Sequence, residues 1–433
     1  MPGEKSICGG GKMASGRPAL TRLQKRLVFA LALLLVCHVA NGDEPQAQQN
    51  KTRAEEAASA ALADNPYINS LLIEREFPII GGSWGWEMFV DAPLNGEPDG
   101  AEITLRRAKA KYAHELGNNW RFKLSGDYTS GGGLELSDNY VSYSGWNQAL
   151  LTLGISDPPF SLESVSQSSA LTFMERGLPV VALAENKSGG ATILRRNEDS
   201  ILNLSIILFN VSQDDHRELG QGIVLHYVHS PIEIGDAKSV HLGASFSYRW
   251  NASEEGTQFR SRPEVATVND YYVDTGLIAG ANRIGRLSLE ASQVAGRFSW
   301  QTEVLAARVH RDGAEAVDFW GGYAFVSWFL TRDSRNYNFG SGSFEQVRIR
   351  NALLEGGPGA FELAFRASLV DLTDGNIIGG REKNISIGLN WYLNRRVRLM
   401  TNLVKVLDVD RPGSEFDGED PLILSLRAQW VLN

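Results

Sequence analysis

From Trp84 to the C-terminus, apolar and polar residues alternate with a period of two. Trp120, Phe122, Leu124, Gly126 and Tyr128 interleave with Arg121, Lys123, Ser125 and Asp127. Val240, Leu242, Ala244, Phe246, Tyr248 and Trp250 interleave with His241, Gly243, Ser245, Ser247 and Arg249. The pattern is clearest from Asn384 to Val406. There Ile385, Ile387, Leu389, Trp391 and Leu393 share one face, Asn394-Arg395-Arg396 supplies a turn, and Val397, Leu399, Thr401 and Leu403 continue the apolar face on the way back. A strand sends successive side chains to opposite faces, so each run predicts a strand with one apolar and one polar side.

Soluble sandwiches alternate in the same way, so strand length has to separate the architectures. Strands of soluble domains run about five or six residues, whereas a strand crossing a bilayer needs roughly 9–11. These runs are of the longer kind. Aromatics also gather near strand ends, as Trp84 with Trp86 and Tyr248 with Trp250, which matches interfacial girdles. Polar turns are read at Gly131 to Gly133, Asn251 to Gly256, Arg332 to Gly342, Asp374-Gly375 and Asp408 to Asp420. The prediction is an all-β, transmembrane antiparallel β-barrel of about 16 strands, with short and long connections alternating.

Two stretches break the pattern. Trp320 to Leu330 is apolar on both faces, which points to a subunit contact or to a plug contact inside the barrel. The segment Ser156 to Gly177 loses strand periodicity after Pro158-Pro159. Loops of this length are usually functional. Folded into the lumen it would form a constriction; the alternative is a surface loop.

The N-terminus and the charge narrow the class. Arg17, Arg22, Lys25 and Arg26 precede the apolar run Leu27 to Ala40, and small residues follow, so residues 1–42 read as a secretory signal peptide. Residues 43–82 read as a polar periplasmic lead-in with a short helix, and 83–433 as the barrel domain. Both cysteines, Cys8 and Cys37, fall in the leader, so disulfides and thiolate metal sites are not expected in the mature chain. Removing the leader's six basic residues and one acid from 42 and 51 leaves 36 against 50, a net charge of −14. A nucleic-acid binder would normally be basic, so no nucleic-acid partner is expected.

No hydrolase, zinc or phosphate-cradling motif occurs, and no catalytic residue, metal or cofactor is expected. His226 and His229 are three apart, which on a strand places them on opposite faces. The more informative residues are Arg107, Lys109 and Lys111, which share one side of a strand. In a pore such a column draws anions inward despite the acidic total; on an ordinary strand it would be a solvated face.

Trp328-Phe-Leu-Thr331 with Ser334-Arg335, Gly359-Ala-Phe-Glu-Leu363, Asp371-Leu-Thr-Asp-Gly375, Leu389-Asn-Trp-Tyr-Leu-Asn394 and Leu426-Arg-Ala-Gln429 together resemble the phosphate-selective porin O and P family. Leu105-Arg-Arg-Ala108, Phe160-Ser-Leu-Glu163, Met174-Glu-Arg176 and Ser261-Arg-Pro-Glu264 agree in order. The resemblance implies a homotrimeric, sixteen-stranded barrel in outer-membrane lipid, narrowed by an inward loop and lined by arginines that guide anions. It assigns Arg106 and Arg107 to a paired arginine step, Arg176 and Glu175 to the loop, Asp127 to a lumen acid, and Arg260 and Arg262 to an arginine series. Phosphate-selective members carry two loop lysines where this chain has Ser164 and Ser169, and a basic residue where it has Glu264.

The expected function is an outer-membrane porin for passive diffusion of small hydrophilic solutes, among them phosphate or other inorganic anions held with weak selectivity. The alternative is a structural or adhesive barrel without an open channel.

Overall fold

The computed structural model describes residues 82–93, 103–129, 133–211, 220–230, 238–250 and 256–432; the expected leader and nearly all of the lead-in lie outside these. Sixteen strands form the wall. They are β1 Ser83–Pro93, β2 Thr104–Leu116, β3 Trp120–Thr129, β4 Asn139–Trp146, β5 Ala149–Ser156, β6 Ser188–Arg196, β7 Ser200–Asn210 and β8 Gln221–His229. Then come β9 Lys238–Trp250, β10 Ala281–Ala295, β11 Phe298–Arg311, β12 Ala314–Phe329, β13 Ala360–Asp374, β14 Ile377–Tyr392, β15 Val397–Asp410 and β16 Leu422–Leu432. Each pairs antiparallel with its neighbours in sequence, and β16 returns to β1 from Trp86↔Leu432 to Pro93↔Ser425, closing the barrel.

The closed sheet carries its faces inside out relative to a soluble domain. On β10, Leu287 and Leu289 are 58% and 64% exposed, whereas Ser288, Glu290 and Ser292 between them are buried. The same inversion holds on β7, where Leu202, Leu204 and Ile206 are exposed while Asn203 and Ser205 are buried. Water would penalise so large an apolar exterior, but a bilayer favours it. Closure leaves no wall edge with unpaired backbone groups in contact with lipid.

At the end of the barrel where the chain leaves β16, the turns 117–119, 147–148, 197–199, 296–297 and 393–396 are tight. The expected alternation of short and long connections is interrupted at the other end, where 312–313 and 375–376 are two-residue turns. It is interrupted once at the turn end as well. The connection 330–359 is long, and Arg332 to Gly342, expected as a polar turn, is drawn inward with Arg335, Tyr337 and Phe344 buried. Long connections persist where their backbone finds partners in the lumen: Asn336–Asn338 pairs with Ser343–Glu345, and the Phe344 N–H donates to Ser166 Oγ (3.1 Å).

The inner face of β12 accounts for the doubly apolar stretch. Phe319, Tyr323 and Phe325 pack with Phe173, Leu178, Val180 and Leu183 of segment 157–187, which lies inside the barrel. Phe173 and Phe325 meet edge to face at 5.6 Å. Trp320 and Trp328, half exposed, point outward. Of the two expected contacts, the inward one is what the structure contains.

Candidate functional site

The lumen segment leaves β5 through Pro158-Pro159 and makes one helical turn, α1 Leu162–Val165, started by Ser161, whose side chain accepts from the Ser164 N–H. A second helix, α2 Leu178–Leu183, has Pro179 in its first turn. Backbone this far inside must find partners, and the wall, together with Glu264 of the connection after β9, supplies them with charge of both signs. Amides meet carboxylates: Leu162 N–H donates to Glu290 (2.5 Å), Glu163 N–H to Glu303 (2.8 Å) and Leu178 N–H to Glu264 (3.1 Å). Carbonyls meet cations: Arg398 donates to Leu171 and Thr172 (2.7 and 3.0 Å), Arg366 to Glu175 (3.0 Å), and Arg427 to Met174.

At the segment's end, Glu185 takes Arg249 (2.9 and 2.5 Å) and Arg286 (3.1 Å), all fully buried. Burial works to raise its carboxyl, but the two guanidinium groups prevail and hold it at about 2. Glu175 is treated alike by Arg106 and Arg427, which overcome burial and hold it at about 2.

The paired arginines occupy consecutive positions, which a regular strand would send to opposite faces. A β-bulge resolves this: Phe89 pairs with Arg107 and Val90 with Leu105, leaving Arg106 as the extra residue. Both guanidinium groups therefore reach inward. Arg106 binds Glu175 (3.4 and 3.3 Å), and Arg107 donates to Asp127 (2.6 Å) and to Ser168 Oγ (2.6 Å). Lys109 and Lys111 continue on the same side, toward Asp138 (3.2 Å) and Glu87 (3.7 Å).

Two lysines that sequence reasoning did not single out join this wall, Lys123 and Lys187, each 2.8 Å from Asp138. Burial tends to raise the Asp138 carboxyl, but Lys187, Lys109 and Lys123 bring it well below its ordinary value. Lys187 is itself raised, Asp157 (3.0 Å) and Asp138 outweighing its own burial. Lys123 was legible only as a polar-phase residue of β3. Lys187 lies outside any periodic run, and nothing in the sequence ties it to Asp138. A cavity of about 680 Å³ adjoins this wall at the turn end, lined in part by Lys111, Arg121, Lys123, Gln167, Arg348 and Arg395.

The remaining expected residues disperse. Arg176 braces its own segment, donating to the carbonyls of Glu163 (3.1 Å) and Ser164 (3.3 Å). Arg260 and Arg262 both lie over the ring of Tyr271 (4.1 and 4.8 Å) in the connection after β9, away from the lysine wall's carboxylates. Ser164 is half-buried and bonded within its helical turn. Ser169 is buried, and its carbonyl accepts from Gln429 (3.0 Å), so it faces the barrel wall. Glu264 is clamped by Arg366 (2.9 Å), Ser368 (2.6 Å) and Ser386 (3.0 Å). His226 and His229 do part as expected, with His226 buried and His229 half exposed.

Residues 80–432 match the family model described as phosphate-selective porin O and P. An uncharacterised protein of Caulobacter vibrioides is 28% identical over 330 residues, 72% of this chain and 65% of that protein, so the chain spans just under two thirds of that relative's length. Porin O of Pseudomonas aeruginosa is 25% identical over 346 residues, 70% of this chain and 76% of its own. Among solved structures, the anion-selective porin from Comamonas acidovorans superposes with a TM-score of 0.51 at 13% identity, covering 81% of this chain and all of that one, a likeness of fold.

Proposed function

The chain belongs to the phosphate-selective porin O and P family, and from that membership we propose a trimeric outer-membrane diffusion channel with modest preference for small anions. The observation that carries the reading is the cationic wall of Arg107, Lys109, Lys111, Lys123 and Lys187 beside an open cavity of about 680 Å³. Fixed positive charge in a narrow, low-dielectric passage concentrates anions and replaces part of their hydration. The wall's cations already hold Glu87, Asp127, Asp138 and Asp157, so an entering anion competes with resident carboxylates. That competition favours brief residence and weak selectivity. Arg366, Arg398 and Arg427 of β13, β15 and β16 are engaged with the lumen segment and serve as its anchors.

Single-channel recording in planar bilayers tests the proposal. Stepwise conductance is expected, with reversal potentials in a salt gradient showing a small anion preference and with phosphate reducing chloride current only weakly. Absence of steps from folded protein would overturn the channel, and tight phosphate block would overturn the weak selectivity.

A further inference from the structure

The outward face of the long strands changes from apolar to charged at one level, near the end opposite the tight turns. On β12 Trp328, Val326, Ala324, Gly322 and Trp320 point outward, and Asp318 follows. The two tryptophans are eight positions apart, about 20 Å of height in a strand tilted by ~40°. That approaches the roughly 25 Å apolar band of such barrels, with an aromatic residue at each boundary. Neighbouring strands change over in the same way: β10 from Leu287 to Arg283, β11 from Val304 to Arg308, β13 from Leu369 to Asp371, and β14 from Ile385 to Lys383 and Arg381. From β10 to β13 these positions descend the ladder. Arg283 lies opposite His310, two residues beyond Arg308, and Asp371 lies opposite Trp320, two residues short of Asp318. Tilted strands require such a descent if a row is to lie level with the membrane. On β7 and β9 the same end carries Leu208, Tyr248 and Trp250 instead.

We propose that this row is a docking surface for a membrane lipid whose headgroup bears phosphate, lying in the outer leaflet against β10 to β14. The acids of the row orient its arginines without using them up. Arg308 donates to Asp318 through Nε and Nη2 (2.8 and 2.7 Å), and Arg381 donates to Asp371 through the same two nitrogens (2.9 and 2.6 Å). Each guanidinium keeps Nη1, with two N–H donors, for an incoming oxyanion. Lys383 stands 3.4 Å from Asp408 and has further donors to give. Arg283 meets the Asn282 side chain (3.4 Å) and has no acid partner among the described residues. Held in this way, the cationic heads sit just beyond the apolar band, at the depth of lipid headgroups, where phosphate oxygens are the complementary charge.

Two observations favour lipid over a second copy of the chain on this face. Trp320 and Trp328, both half exposed, mark the two limits of a bilayer. Arg308 with Asp318 and Lys383 with Asp408 are pairs about half exposed on both sides, and a protein partner would have to strip them of water, at a cost that their mutual attraction need not repay. A headgroup leaves them wet. The proposal shares with the channel reading the placement of the barrel in the outer membrane, and it does not depend on conduction.

Native mass spectrometry of the mature protein in detergent, with diphosphoryl lipid A or phosphatidylcholine added, reads retention of each lipid. The wild-type protein is expected to retain diphosphoryl lipid A at concentrations where phosphatidylcholine is lost. Arg308→Gln and Arg381→Gln should each weaken that retention about fivefold, the share of one basic group at a membrane surface. Lys383→Gln should do the same without breaking a two-bonded pair. Lys238→Gln, an exposed cation at the opposite end of β9, should leave retention unchanged. Equal retention of the two lipids, or unaltered retention in all three row variants, would overturn the proposal. Displacement of the lipid by millimolar inorganic phosphate would assign the row to free anions and overturn it too. Loss of the oligomer in the row variants with lipid retention intact would make the row a subunit contact. Absence of conductance would sink the channel reading and leave these outcomes unchanged.

Discussion

At the residue scale, the serine positions are where chemistry and location part company. Alignment with the family's motifs puts Ser164 and Ser169 at the lysine places, yet the structure buries Ser169 against Gln429 and leaves Gln167 exposed at the cavity. A lysine at 169 would have to bury an ammonium with no acid beside it, whereas a lysine at 167 would join Lys111 and Lys123. Gln167→Lys should therefore raise phosphate block of chloride current severalfold, while Ser169→Lys should instead lower stability by about 2 kcal/mol or more, read as a shift of the urea midpoint. Stronger block from Ser169→Lys than from Gln167→Lys would reverse this assignment. The lumen arginines show the same limit of sequence. Arg366 and Arg427 are plainly polar-phase residues of their strands, but their engagement with the carbonyls of Glu175 and Met174 is a contact with the inward segment, distant in sequence.

At the element scale, strands β2 and β12 depart from simple alternation for different reasons. The bulge in β2 was not legible, because Arg106 and Arg107 read as one inward and one outward residue until the register against β1 shifts between Phe89 and Val90. In β12 the anomaly was legible but its cause was not: the inner apolar face is the floor on which α2 rests. Gly321 is the closest point of that contact, where an added Cβ would lie 2.8 Å from Pro179 Cβ and 2.6 Å from the Leu369 carbonyl. Gly321→Val should cost about 1–3 kcal/mol by overpacking and lift α2 from the wall. Limited proteolysis would then cut within Leu178 to Leu183 well before the wild-type chain is cut there; equal resistance would show that α2 does not depend on this floor.

At the scale of the whole molecule, the barrel exists only when closed. Trp86 and Trp430 meet edge to face at 3.7 Å across the seam, and eight residue pairs join β1 to β16. Deleting 422–432 would leave β1 and β15 with unpaired edges facing lipid, where an unsatisfied backbone group is strongly disfavoured. The truncated chain should give no compact, heat-modifiable species on gel electrophoresis after refolding into detergent. A heat-modifiable band from that variant would show the seam to be dispensable.

The period of two, the strand lengths and the polar phase follow from backbone geometry acting over a few residues. The sequence alone therefore determined the wall, its apolar exterior and the identity of most inward side chains. It also marked 156–177 as an interruption, since Pro158-Pro159 cannot continue a ladder. Tertiary structure decided what each inward charge faces. Arg427 and Asp91 are 336 positions apart in the chain and 2.7 Å apart in the lumen, and Glu290 reaches Leu162 across 128. Such pairs are set by closure of the sheet and by the path of the inward segments, which no local pattern encodes. That is why the basic column on β2 was readable as a column, while its sharing of Asp138 with Lys123 and Lys187, and the hold of Glu290 on Leu162, belong to the folded molecule alone.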